Sequence, residues 1–332
     1  MTNYIIRRLI SMALTVFVLA LATFLLMHAA PGGPWDATAP DRKGLSPTQQ
    51  KILNQQFGLD KPLWRQFTAY VFGDVDDDGK FVCGAMCGNL GPSFKYRGAM
   101  VQDRLFAARS DEGGFWDSRF SFTLRLGAFA LMLGVLIGIP AGVIAALKQN
   151  TWVDYLISFF TTIGISVPGF VNAILLVTVF AVMLKWITVI PKWENFSAWI
   201  LPAAVMGFGT MASLARYTRA QMLDVMRQDY IRTARAKGLR ENVVVLKHML
   251  RNSLIPVVTI LGPTIAGLLT GSFIIEQLFS MPGVGNEFVT SIFNRDYSMI
   301  MGTTLFLGVL VVFANFFVDL TYGVLDPRIR LD

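Results

Sequence analysis

The chain is poor in charge. Asp, Glu, Lys and Arg supply only 15% of its 332 residues, against roughly 25% in soluble domains. That shortage excludes an ordinary water-soluble globule. Histidine is nearly absent, at His28 and His248 alone, which excludes a histidine-rich metal centre. No G-x-x-x-x-G-K-[ST] phosphate loop occurs, so the chain has no nucleotide-driven motor of that kind. No nucleophile–base grouping stands out in the apolar segments, which argues against a membrane protease or transferase. No Asp, Glu, Lys or Arg lies in the middle of an apolar run, where proton- or sodium-coupled carriers usually place them. These absences together describe a conduit that carries no motor of its own.

What is abundant is apolar sequence, 54% of the chain, and it is segregated. Residues 9–27, 126–147, 155–184, 195–215, 252–275 and 297–318 contain no Asp, Glu, Lys or Arg. Each run is near or above the roughly 20 residues a helix needs to cross the hydrocarbon core. The expectation is an all-α membrane domain of six transmembrane helices with one long polar insert, residues 30–119. Arg7 and Arg8 before the first run resemble the start of a signal peptide. The run of nineteen residues that follows exceeds the 7–15 of a signal core, so it is read as a retained helix.

Basic residues set the orientation. With a cytoplasmic N-terminus, the short cytoplasmic pieces hold Arg7, Arg8, Lys148, Arg328, Arg330 and nine Lys/Arg between Arg216 and Arg251. The short external loops hold only Lys185, Lys192 and Arg295. This is a positive-inside pattern with both termini cytoplasmic. It accounts for the net charge of +7 without invoking nucleic acid.

Prolines interrupt the spans. Pro168-Gly169 falls near the middle of the third run, Pro202 early in the fourth, and Pro256 and Pro263 in the fifth. Thr161, Thr162, Ser166 and Asn172 cluster about Pro168. Two readings are open: packing kinks with hydroxyls back-bonded to the helix, or a pore lining built from Thr162, Ser166, Pro168, Gly169 and Asn172. Arg125 and Glu276, at external helix ends, are read as snorkelling or capping residues.

The basic segment after the fourth run is the richest text. Leu239, Val243, Leu246 and Leu250 follow i, i+4, i+7, i+11, one helical face. Gly238 precedes them and tolerates a positive φ. Tyr230 to Lys237 forms a second short helix rich in Ala and Arg. A helix–glycine turn–helix unit of this kind suits a groove on a partner protein. An amphipathic helix lying on the membrane surface is the competing reading.

At this segment the chain resembles a family. Tyr230-Ile-Arg-Thr-Ala-Arg-Ala-Lys-Gly238-Leu, followed by His248-Met-Leu-Arg-Asn252-Ser-Leu-Ile-Pro256, is similar to the cytoplasmic loop of ATP-binding-cassette importer permeases. The dipeptide/oligopeptide/nickel permeases match most closely. Tyr4-Ile-Ile-Arg-Arg8, Ala30-Pro-Gly-Gly-Pro34, Gly88-Asn-Leu-Gly-Pro-Ser-Phe94, Pro282-Gly-Val-Gly285, Arg295-Asp-Tyr297, Val318-Asp-Leu-Thr-Tyr322 and Leu325-Asp-Pro-Arg328 carry the resemblance along the chain.

The resemblance implies a type I ABC importer permease fold and a role as the inner-membrane subunit that forms the pore for di- and oligopeptides. Nickel or another small solute is the alternative, and a self-contained channel or carrier the remote one. It implies partners: a second related permease, two ATP-binding subunits and an extracytoplasmic substrate-binding protein. ATP and magnesium would act on the ATPase partner and not on this chain. The coupling loop would be 216–252, with Tyr230, Arg232, Thr233, Ala234, Arg235, Ala236, Lys237, Gly238, Leu239, Val243, Leu246 and Leu250 at its contact. The remaining divisions are helix 1 in 1–29, the external insert 30–119, the core 120–322 and a cytoplasmic tail 323–332.

Two departures from the family pattern stand out. Ser298 replaces the proline usual after Arg-Asp-Tyr, and residues 74–87 look like an insertion between Phe72-Gly73 and Gly88. Asp74, Asp76 and Asp78 with Gly79 copy the first half of a calcium loop, but position twelve is Ala85 instead of Glu. The segment is read as a solvated acidic turn, with calcium as the competing reading. Cys83 and Cys87 would face an oxidising compartment, which permits a small disulfide loop. Metal binding by that pair would need ligands from elsewhere.

Overall fold

The structure is a computed structural model that describes residues 2–35, 46–75, 79–96, 98–110, 113–186, 193–269 and 273–325. Asp76, Asp78 and the tail beyond residue 325 lie outside that set. The regular elements among the described residues are helices, apart from one small hairpin and an isolated bridge between Pro92 and Met100. In chain order they form α1 (Thr2–Ala29), α2 (Pro47–Gln56), α3 (Leu63–Phe72), β1 (Gly73–Val75), β2 (Phe81–Cys83) and α4 (Val101–Phe106). Then come α5 (Arg119–Leu133), α6 (Ile139–Leu147), α7 (Trp152–Ser166), α8 (Gly169–Val177) and α9 (Ser197–Met226). The chain ends with α10 (Asp229–Ala236), α11 (Glu241–Val243), α12 (Arg251–Leu269), α13 (Phe273–Leu278), α14 (Val284–Asn294) and α15 (Tyr297–Leu325).

Five stretches are long and apolar enough to cross a bilayer: 5–29, 119–147, 197–226, 241–265 and 297–317. The third run behaves differently from a single kinked span. Its two halves, 152–166 and 169–183, meet at 114°. Pro168 caps α8 instead of sitting inside a helix, because its ring excludes the α conformation for Val167, which is extended at ψ 128°. Pro202, Pro256 and Pro263, by contrast, lie inside continuous helices.

The residues divide into two compact units, 1–122 with 282–312, and 123–281 with 313–332. The external segment is therefore not a unit by itself; it packs with α1 and the beginning of α15. In this first unit Ala20 and Phe24 of α1, Phe67 and Val71 of α3, and Met301 and Leu305 of α15 form one core. Leu90, Val101, Leu105, Val284 and Met299 form another. Two carboxylates fasten the unit. Glu287 receives Arg104 and Arg119, each at 3.0 Å. Asp296, 2% exposed, accepts from the backbone N–H groups of Phe94 and Lys95 at 3.1 Å and from the Ser93 hydroxyl. It also accepts from Met299 N–H at 3.1 Å, the bond of an N-cap on α15. Two motifs about 200 residues apart thus close on one side chain.

The second unit packs α5–α6, α7, α8 and α12 against α9. Gly134, Gly138 and Gly142 lie one turn apart and let α9 come close: a Cβ at Gly138 would sit 2.6 Å from Met211 O, and at Gly142 2.4 Å from Ala215 O. Small residues at this spacing let membrane helices approach to backbone contact. Asp154, 1% exposed, holds Arg219 bidentately at 2.6 and 2.7 Å and takes the Asn150 N–H at 3.0 Å. Glu276 is not the interface residue its position at a helix end suggested. It is fully buried and accepts from Thr123 Oγ at 2.9 Å. Arg125 stacks on Trp199, 4.7 Å from the ring centre.

Candidate functional site

The basic segment folds as two helical pieces about a tight turn. α10 ends in a Schellman arrangement: Gly238 N–H donates to Arg235 O at 2.9 Å and Leu239 N–H to Ala234 O at 3.4 Å. Gly238 has φ +74°, where an L side chain is strained and glycine is not. Arg235 then clasps Glu241 across the turn, at 3.1 and 2.6 Å. Those hydrogen bonds hold the Arg235 guanidinium above its already high ordinary value. Asn252 donates to the Tyr230 hydroxyl at 2.9 Å, closing the other end.

One face of this unit is anchored. Ile231 and Ala234 of α10 pack with Val244, Val245, Met249, Met222 and Ala146. The opposite face is bare. Tyr230, Arg232, Thr233, Arg235, Ala236, Lys237, Gly238, Leu239 and Val243 are exposed, and Leu246 is 65% exposed. Leu239, Val243 and Leu246 are thus open beside Arg232, Arg235, Lys237 and Arg240.

Leu250 departs from the expected face. Residues Val244–Leu250 form π-type turns, whose i→i+5 bonds take an extra residue per turn. A stripe drawn at α-helical spacing therefore drifts, and Leu250 turns in to pack against the Ile231 cluster. Ala234, too, belongs to the anchored face, at 7% exposed.

The residues about the third-run break are brought together at the α7–α8 corner. Thr162 donates to Ser158 O at 2.8 Å, a back-bond within the helix. Asn172 is buried and donates to Val167 O at 3.3 Å, capping the carbonyl freed at the break. Ser166, Pro168 and Gly169 are exposed. Just beyond them Phe170, Ile174, Ile274, Gln277 and Leu278 line an apolar cleft of about 480 Å³.

Cys83 and Cys87 are joined in a disulfide. β1 and β2 pair antiparallel just before it, with Gly73 opposite Cys83. Asp74 is engaged by Lys61 at 3.1 Å and Arg65 at 3.6 Å. The Lys61 hydrogen bond first, then the Val75 N–H, hold its carboxyl below the usual carboxylate range. Among the described residues no group of three or more His, Cys, Asp and Glu is placed to hold a metal. Asp74, Val75, Val82 and Cys83 line a cavity of about 550 Å³ together with Ser298.

Several residues that matter were not singled out by sequence reasoning. Ile231 anchors α10, Glu241 braces its turn, and the Asp154–Arg219 pair ties α7 to α9. A charged residue directly flanking an apolar run was the available signal for Asp154. The G-x-x-x-G-x-x-x-G spacing was the signal for the α6–α9 contact.

Residues 138–331 match the model of the binding-protein-dependent transport system inner membrane component, and residues 1–108 match the model of its N-terminal part. The chain belongs to this family. The transport-system component is 40% identical over 331 residues to the dipeptide transport system permease protein DppB of Bacillus subtilis strain 168, covering 100% of this chain and 99% of that protein. It is 36% identical over 332 residues to the oligopeptide transport system permease protein OppB of Haemophilus influenzae, covering 99% and 100%. Among solved structures, an inward-facing MetNI methionine ABC transporter contains a chain that aligns with TM-score 0.52 at 20% identity, over 63% of this chain and 94% of that one. That likeness shows the fold, the all-α fold of a type I ABC importer permease. The chain is a multi-pass inner-membrane transport component, and the family acts with ATP-binding and substrate-binding partners.

Proposed function

We propose that this permease forms half of a peptide-import pore. A second, related permease supplies the other half, and two ATP-binding subunits dock on the cytoplasmic side. An external binding protein delivers di- or oligopeptides. ATP and magnesium act on the docked subunits, and no step of hydrolysis falls to this chain. Both termini lie in the cytoplasm, as the distribution of Lys and Arg supports. Peptides are the substrate class because full-length relatives named for dipeptide and oligopeptide transport align end to end.

The observation that carries the mechanism is the two-faced unit around Gly238. Its inner face is locked to α6 and α9 through Ala146 and Met222, while Leu246 and the cations of α10 stand open. A push on the open face therefore moves a rigid piece attached directly to membrane helices. Asp154 and Arg219 carry that displacement from α9 into α7, whose outer end breaks at Pro168. The exposed corner at Ser166–Gly169 is where the second permease would meet this one.

The test is co-purification of the tagged chain with its partners in mild detergent. An ATPase subunit that comes down with the native chain and is lost from Leu246→Asp supports the docking surface. A monodisperse chain that binds no ATPase, yet still conducts peptide in vesicles, overturns it.

A further inference from the structure

The external segment holds a helix whose depth is inconsistent with full exposure to water. α3 is tied to α1 through ring contacts. Phe67 lies 5.8 Å from Phe17 and 5.3 Å from Phe24, centre to centre. At ~1.5 Å per residue, Phe17 is about 18 Å below the C-terminal end of α1 and Phe24 about 8 Å below it. A hydrocarbon core of ~30 Å takes about 20 residues of helix. Counted from Leu9, after Arg7 and Arg8, it reaches His28. Phe17 then sits near the middle of the bilayer, and a ring that touches both Phe17 and Phe24 lies within one leaflet.

The open side chains of α3 have the chemistry of that place. Its sequence is Leu-Trp-Arg-Gln-Phe-Thr-Ala-Tyr-Val-Phe. Phe67 and Val71 are buried against α1, while Leu63, Trp64 and Phe72 are 50%, 69% and 49% exposed. Arg65, the one charged residue in the helix, reaches back to Asp74 at 3.6 Å, as a cation at an interface extends toward the polar side. Val18, Leu25 and Leu26 of α1 are also open.

We propose that α3 is a monotopic helix seated in the leaflet at the C-terminal end of α1, with phospholipid acyl chains covering Leu63, Trp64 and Phe72. The leaflet is the outer one under the topology given above. The insert is thus held to the membrane along its own surface as well as through α1 and α15, with Trp64 as an interfacial anchor. The inference rests on α1 spanning the membrane and is independent of substrate and ATPase.

Spin labels at Trp64→Cys, Thr68→Cys and Phe72→Cys, in the complete transporter in phospholipid nanodiscs, read the depth. The native cysteines are bonded to each other and take no label. Gln50→Cys on α2, a helix with no buried residue, is the aqueous reference. Collision with a charged nickel chelate is expected to be about tenfold weaker at 64 and 72 than at 50, because hydrocarbon excludes the ion, with oxygen collision stronger. Thr68, between them on the same face, follows the pair even if one variant assembles poorly. Chelate access equal to that at residue 50 overturns the proposal. Protection that appears only when the external binding protein is added also overturns it, and makes the face a protein-docking surface.

Discussion

Replacing Gly238 by proline perturbs one turn and leaves its anchors in place. Proline fixes φ near −65°, whereas the turn needs +74°. The substitution removes the Gly238 N–H bond to Arg235 O and, through the changed backbone path, the Leu239 N–H bond to Ala234 O. At ~0.5–1.5 kcal/mol each these cost about 2 kcal/mol. The exposed Arg235–Glu241 clasp adds about 0.5 kcal/mol once its geometry is lost. Ile231, Val244 and Met249 stay buried, so the membrane domain keeps its core. A penalty of roughly 2–3 kcal/mol shifts the balance between the docking-competent turn and rearranged ones by on the order of a hundredfold. Gly238→Ala keeps the N–H and pays only the left-handed backbone, about 1 kcal/mol, or several-fold. The assay is peptide uptake by the reconstituted transporter beside its ATPase rate, with membrane level measured by quantitative blot. The expected order is native, then Ala, then Pro, with uptake by the Pro variant nearly abolished and its membrane level unchanged. Native uptake by Gly238→Pro would falsify the assignment of this turn to coupling.

Other outcomes follow from the same geometry. Leu246→Asp should leave thermal stability within about 0.5 kcal/mol, since the side chain is open, while ATPase co-purification is lost; a fall in melting temperature with binding intact would contradict the docking role. Asp154→Asn should cost about 3 kcal/mol by leaving Arg219 without its carboxylate. In a double-mutant cycle Arg219→Gln should then add little, and full additivity would mean that the two do not act as a pair. Asp74 has a folded pKa below its unfolded one. Its stabilisation is therefore complete above the unfolded value, about 3.9, and is lost as pH falls through the folded one. Hydrogen exchange over residues 61–75, corrected for intrinsic pH dependence, should accelerate in acid by a step that Asp74→Asn lacks.

Much of this protein is determined by local sequence. Charge-free runs about as long as the bilayer is thick have nowhere else to go, so the order of the apolar segments is legible from the pattern of charge along the chain, five of them as single helices. The same is true of Gly238, because a glycine at the foot of an Ala- and Arg-rich helix marks a left-handed C′ position that few other residues tolerate. Tertiary structure decided what periodicity could not. A π segment rotated Leu250 away from the stripe that Leu239, Val243 and Leu246 begin, since an i→i+5 turn is not encoded in hydrophobic spacing. Pro168 was open to reading as a packing kink or as part of a pore lining, and the structure places a 114° bend there. Glu276 looked like an end residue because its burial depends on Thr123, some 150 positions away in the chain. Asp296 and Ser93 lie about 200 positions apart and were visible only as two separate short motifs. Helix formation and membrane insertion depend on neighbours in sequence. Pairing of buried charges, and the depth of α3 beside α1, depend on neighbours in space.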